Sequence, residues 1–153
     1  MAEYMLRTAL RDAGISDVMV SSAGTSNGET ENPIDPRAAA ILQSHGITAE
    51  DHVAKHLSRE GLTGANLVLA MDEDHYQALE KMLRSMAPEQ RPELRMMRSF
   101  DASLAASTRE EQGIYDPWFG DSADFRLCWQ MITSAIPGVL DYVRAHTMPS
   151  RGN

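Results

Sequence analysis

Apolar residues first recur at helical intervals: Met5, Leu6, Ala9 and Leu10 share one face of residues 2–11, and Gly14 supplies a stop. "DVMVS" (residues 17–21) then breaks that rhythm and reads as a short buried strand. It runs into the small and turn-forming residues of "SAGTSNGETENP". Asp35 and Pro36 have the character of an N-cap and a first helical residue, so "PRAAAILQSHG" predicts a helix ending at Gly46. "NLVLAMDEDHYQALEKMLRSM" is a strand passing directly into a helix, with Asp72–Asp74 at the junction, where negative charge complements the helix dipole. "ELRMMRSF" reads as another strand. About twenty residues without periodicity follow, and loops longer than about 12–15 residues are usually functional or disordered. From Ser122 onward Phe125, Cys128, Trp129, Ile132, Ile136, Val139, Leu140 and Val143 recur at helical spacing. Pro137 is expected to break or kink that helix, since a proline in a helix interior costs roughly 3 kcal/mol.

Helices alternating with short apolar strands predict an α/β layer fold with a mainly parallel sheet. Ligands in such folds sit at the carboxyl ends of the strands. The loops after "VMVS", "LVLAM" and "LRMMRS" should therefore meet, and the last of them carries "GIYDPWFGDS" (residues 113–122). A length of 153 residues suits one domain, taken as residues 1–147 with a short tail at 148–153. No run approaches the ~18 apolar residues of a membrane span. The N-terminal segment is amphipathic, unlike a signal peptide, which points to the cytoplasm without excluding export. A formal charge of −8 argues against nucleic-acid binding. The single cysteine excludes an intrachain disulfide framework.

Candidate chemistry is sparse. Asp116 before Pro117 is a common turn former. Trp118 and Phe119, followed by Gly120, either pack onto the core or wall a pocket for a flat ligand. Cys128 is the only thiol, but it lies on the apolar stripe of the last helix. A cysteine attacking phosphate needs a loop of backbone N–H groups and an arginine, and six residues beyond Cys128 stands Ser134. Cys128 therefore reads as a core residue. His52 and His56 could share a helical face like a metal pair, and Asp72, Asp74 and His75 form a second acidic and imidazole group. Neither has a third ligand at a known spacing, so no metal is expected. There is a candidate acid and no nucleophile.

Taken in order, "MAEYMLR", "SSAGT", "DPRAAAILQSHGI", "HVAKHLS", "NLVLAMDEDH", "LRMMRSFD" and "YDPWFGDSADF" resemble the low-molecular-weight protein tyrosine phosphatases, the actinobacterial type most of all. The resemblance implies a three-layer αβα fold, a phosphotyrosine protein as substrate and no cofactor. It makes Asp116 the general acid and sets Trp118 and Phe119 where paired aromatics line the phenyl pocket. Ser22 and His52 match a serine and a histidine that hydrogen-bond beneath the phosphate loop. Asp72 matches an acidic residue to which no role is given.

Two departures accompany it. "TSNGETENP" lacks the aromatic that some relatives carry there, which predicts a missing or more polar pocket wall. The family's nucleophile loop, Cys, five residues, Arg, then Ser-Pro, ends just before the residue matching Met1. Its cysteine, its arginine and the first, central strand are thus expected to be absent, through a truncated or misplaced start. Either "VMVS" should then pair directly with "LVLAM", rearranging the sheet, or a homodimer should complete it. The chain as given should be inactive. A pseudophosphatase or protein-interaction module is the alternative, and an arsenate reductase, which needs several redox cysteines, fits less well.

Overall fold

The computed structural model describes residues 1–26 and 28–147, so the tail expected at 148–153 lies outside the described residues. Helix α1 spans Ala2–Asp12 and buries Tyr4, Met5, Leu6 and Leu10. It stops as anticipated at Gly14, whose φ of +71° lets the Ile15 N–H donate back to the Leu10 carbonyl at 2.9 Å. Helix α2 spans Pro36–Ser44, with the Asp35 side chain accepting from the Arg37 N–H. A short helix α3 (Arg59–Leu62), capped by Ser58, precedes strand β1 (Leu67–Ala70). Helix α4 (Glu73–Arg84), strand β2 (Glu93–Met96) and the long helix α5 (Ser122–Thr147) follow.

β1 and β2 pair in parallel, in a register running from Leu67 opposite Glu93 to Ala70 opposite Met96. Side chains alternate across a strand, and here the alternation divides the core. Val68, Ala70, Leu94 and Met96 pack with Leu62, Leu79, Leu83 and Met86 on the α3–α4 side. Leu69 and Met71 instead join the larger cluster built from α1, α2 and α5, which includes Met5, Leu42, Ile132 and Val139. Two helical layers thus enclose a small parallel sheet, the three-layer αβα arrangement.

The expected "DVMVS" strand does not form. Val18 and Val20 pack against the larger cluster while Met19 is 99% exposed, so the segment alternates like a strand but is only half buried. Neither is it paired with β1, so the predicted rearrangement of the sheet is not seen. The Arg7 guanidinium instead takes the Val20 carbonyl, donating from Nε at 3.0 Å and from Nη2 at 2.9 Å. A side chain stands where a ladder partner would be. Just beyond, residues 24–33 attach to residues 53–57: Gly24 bridges His56 in parallel and Pro33 bridges Val53 in antiparallel fashion.

"ELRMMRSF" is half strand. After Met96 it tightens into a 3-10 turn over Met97–Phe100, which seats the fully buried Met97 in the core. The long loop that follows is ordered by its own polar groups. Buried Asp101 accepts from the Ser103 N–H and Oγ, and buried Gln112 donates to the Leu104 and Ser107 carbonyls. Hydrogen bonds from Ser103 and then Ser134 hold the Asp101 carboxyl below its usual range.

Helix α5 does not break: it runs through Pro137, burying Phe125, Cys128, Ile132, Ala135, Val139 and Val143. The next residue, Gly138, lets the turn over Met97–Phe100 approach α5 closely. A Cβ there would lie 2.2 Å from the Phe100 carbonyl oxygen. Alanine gains up to about 1 kcal/mol in helix propensity over glycine. Overpacking costs about 1–3 kcal/mol or more, and a backbone carbonyl cannot swing aside. Gly138→Ala should lower the urea midpoint by the equivalent of about 1–2 kcal/mol at constant m-value; a raised midpoint would contradict the close packing.

Candidate functional site

The first two turns of α1 gather residues from distant parts of the chain. Glu3, only 9% exposed, is the meeting point. Its Oε2 accepts from Ser22 Oγ at 2.5 Å and lies 3.9 Å from His52 Nδ1, while Oε1 is 2.5 Å from Arg7 Nη2. Ser22 and His52 are therefore brought to one carboxylate. The His52 ring stands edge-on to Tyr4, with centroids 5.8 Å apart, and the Tyr4 hydroxyl donates to Asp51 Oδ1 at 2.8 Å. Burial, and then the hydrogen bond to Asp51, push the Tyr4 phenol up to about 12. Sequence reasoning missed Glu3. A lone acidic residue in a helical first turn ordinarily serves the dipole, and only its burial singles it out.

The second group is the loop over residues 113–121. Its base is tied to the ends of both strands, as the α/β pattern predicted. The Ile114 N–H donates to the Met71 carbonyl at 2.7 Å, just past β1, and Arg98, just past β2, donates to the Gly113 carbonyl at 3.3 Å. Buried Ile114 anchors this base in the core. Asp116 is exposed, and its Oδ1 accepts from the Trp118 N–H at 3.0 Å. It is thus a turn former whose other oxygen is free of that bond. Trp118 is 44% exposed and Phe119 97%, so neither ring belongs to the core. A Cβ at Gly120 would lie 2.1 Å from Asp124 Oδ2 and 2.7 Å from its Cβ, so a side chain there would displace the carboxylate that accepts from the Asp121 N–H.

The two groups are linked through charge: Cys128 feels both the Met1 amine and Asp116, and the Met1 amine feels Glu3. Cys128 is buried in the larger cluster. Burial raises its thiol to about 11; the amino group of Met1 opposes that shift and the charge of Asp116 adds to it. Burial lowers the Met1 amine, which lies within electrostatic reach of both Cys128 and Glu3. This thiol feels the charge of the candidate acid yet is held as S–H, the opposite of what a nucleophile requires.

The remaining candidates do other work. His52 and His56 share no helical face, because residues 52–58 are extended and His56 lies in the bridge to Gly24. Asp72 caps α4, accepting from the His75 N–H at 2.7 Å, and His75 Nδ1 lies 2.9 Å from the same oxygen. No cluster of three or more metal-ligating side chains occurs among the described residues. No helix among them is long and apolar enough to cross a membrane.

Comparison with known proteins places this arrangement. The profile described as low molecular weight phosphotyrosine protein phosphatase matches residues 1–148. Low molecular weight protein-tyrosine phosphatase A of Mycobacterium tuberculosis is 38% identical over 144 residues, covering 94% of this chain and 82% of that protein. The low molecular weight protein-tyrosine-phosphatase of Streptomyces coelicolor is 33% identical over 147 residues, covering 94% and 85%. Among solved structures, a protein tyrosine phosphatase from Entamoeba histolytica superposes with a TM-score of 0.81 at 17% identity, covering 96% of this chain and 89% of the other. The Drosophila arginine phosphatase superposes with a TM-score of 0.83 at 22% identity, covering 95% and 89%. These two structures speak to the fold.

Two outcomes test the geometry. Glu3→Ala leaves Ser22 without its acceptor and Arg7 with the Val20 carbonyl alone, and should cost about 1–3 kcal/mol in urea unfolding; an unchanged midpoint would show that the carboxylate is not the link. Cys128 at pH 8 lies three units below its raised pKa of about 11, so roughly one thiol in a thousand is ionised. An aromatic disulfide reagent should modify it far more slowly than a free thiol, faster with rising pH and at once in denaturant. Rapid labelling of the native protein would refute the buried thiol.

Proposed function

Because the chain belongs to the low molecular weight phosphotyrosine protein phosphatase family, we propose that Asp116 is the general acid of a phosphotyrosine site carried by residues 1–147. In this reading the bond from phosphorus to the tyrosine oxygen breaks as a nucleophile attacks, and the proton of Asp116 passes to the departing phenolate. The carboxylate left behind then takes a proton from the water that releases phosphate. Trp118 and Phe119 supply flat apolar surface for the phenyl ring. Ser22 and His52, gathered by Glu3, brace whatever backbone lies over the first turn of α1.

The observation that supports this most is convergence. Ser22 and His52 meet at Glu3 in the first turn of α1, and Asp116 and the Met1 amine both act electrostatically on Cys128. The nucleophile is the missing part. The 153 residues contain no Cys-x5-Arg: Ser134 follows six residues after their only cysteine. That cysteine is buried with a raised pKa. The chain as given should therefore be a catalytically silent form of the phosphatase.

A second reading is an interaction module that binds a protein through the Trp118–Phe119 loop without chemistry. The 97% exposure of Phe119 favours it. The coding sequence just upstream of Met1 separates the two: an in-frame Cys, five residues, Arg and Ser-Pro supports the phosphatase, and a stop codon supports the module. The 153-residue chain should release no nitrophenol from p-nitrophenyl phosphate above background. Turnover that disappears in Asp116→Asn would overturn the claim of inactivity.

A further inference from the structure

We infer that Arg37, the second residue of α2, is the positioning residue that sets the Asp116 loop. Its guanidinium spans two elements about eighty residues apart in sequence. On one side it is pinned by Asp35: Nε donates to Oδ1 at 3.1 Å and Nη2 to Oδ2 at 2.8 Å. On the other side Nη2 donates to the Trp118 carbonyl at 3.1 Å and Nη1 to the Gly120 carbonyl at 2.8 Å. The plane is seated over the Phe125 ring, 4.6 Å from its centroid. Four of the five N–H donors of the fork are thereby used, in the fixed geometry that distinguishes arginine from lysine.

Trp118 is the hinge of the arrangement. Its carbonyl is held by Arg37 and its N–H by Asp116 Oδ1, so one residue passes the position of the guanidinium to the carboxylate. The base of the loop is fixed separately, through Met71 and Arg98. Arg37 supplies the hold at the tip, where Trp118 and Phe119 stand in solvent. The Asp35–Arg37 pair at the start of α2 therefore holds the backbone that carries the acid and Trp118. Its bearing on catalysis rests on reading Asp116 as the general acid; the clamp does not.

The test uses the 15N-labelled 153-residue chain. In the unsubstituted protein the Trp118 amide shift should follow the titration of Asp116, identified by its loss in Asp116→Asn. Amides 118–120 should also show heteronuclear NOE values close to those of α5. In Arg37→Gln the amplitude of the Trp118 pH response should fall at least twofold and the loop NOE values should drop, with α1 and α4 unaffected. Arg37→Lys should not restore either signal, because an ammonium cannot span both carbonyls and Asp35. Asp35→Asn keeps a cap acceptor for α2 but removes the charged pin, so it should loosen the loop to an intermediate degree. If Arg37→Gln does not fold, Asp35→Asn carries the test alone. An unchanged response and unchanged loop order in whichever variant folds would overturn the clamp. Phosphatase turnover by the 153-residue chain would overturn its proposed inactivity and leave these signals untouched.

Discussion

A buried carboxylate, Glu3, ties the segments around Ser22 and His52 to the first turns of α1. Among the described residues the segment after α1 pairs with no strand, and the segment around His52 is joined to residues near it by the bridges Gly24–His56 and Pro33–Val53. Both are brought back to α1 by polar contacts at its first two turns: Ser22 and His52 to Glu3, and the Val20 carbonyl to Arg7. A charge taken out of water must be matched by donors, so these partners cannot be exchanged freely for apolar ones.

The parallel β1–β2 pair contributes differently. Four residues per strand are enough to divide the core: β1 sends Val68 and Ala70 into the α4 cluster and Leu69 into the α1–α5 cluster, while β2 sends Leu94 and Met96 into the former and lays Arg95 over the Phe100 ring. Its carboxyl ends then hold the base of the loop that carries Asp116, through Met71 and through Arg98. The sheet is small, yet it sets the height at which the acid emerges.

Proximity and chemical state separate sharply at this site. Asp116 is exposed and Cys128 is buried, although the charge of one is felt by the other. Burial on the inner stripe of α5 penalises the thiolate, so the thiol that feels the acid's charge is a packing residue. Close packing elsewhere on α5 makes a related point. Pro137 lacks the donor of a regular helical residue, but Gly138 beside it admits the Phe100 carbonyl to near contact, and the helix continues.

The sequence by itself determined the parts governed by local physics. The α1 stop at Gly14, the Asp35–Pro36 start of α2 and the strand-to-helix passage at Asp72 follow from capping and backbone preference. The apolar stripe of α5 follows from helical periodicity. The family and its αβα layering were legible from seven short segments in order, and with them the proposed places of Asp116, Trp118, Phe119, Ser22 and His52. Tertiary structure decided the rest. "DVMVS" has the apolar run of a buried strand, but a strand needs a backbone partner, and Arg7 took that place. His52 and His56 have helical spacing in an extended segment. Glu3 and Arg37 look like ordinary helix-terminal charges until the fold brings partners dozens of residues away within hydrogen-bonding distance. Side-chain spacing records local geometry, whereas burial and long-range polar contact exist only once the layers have closed.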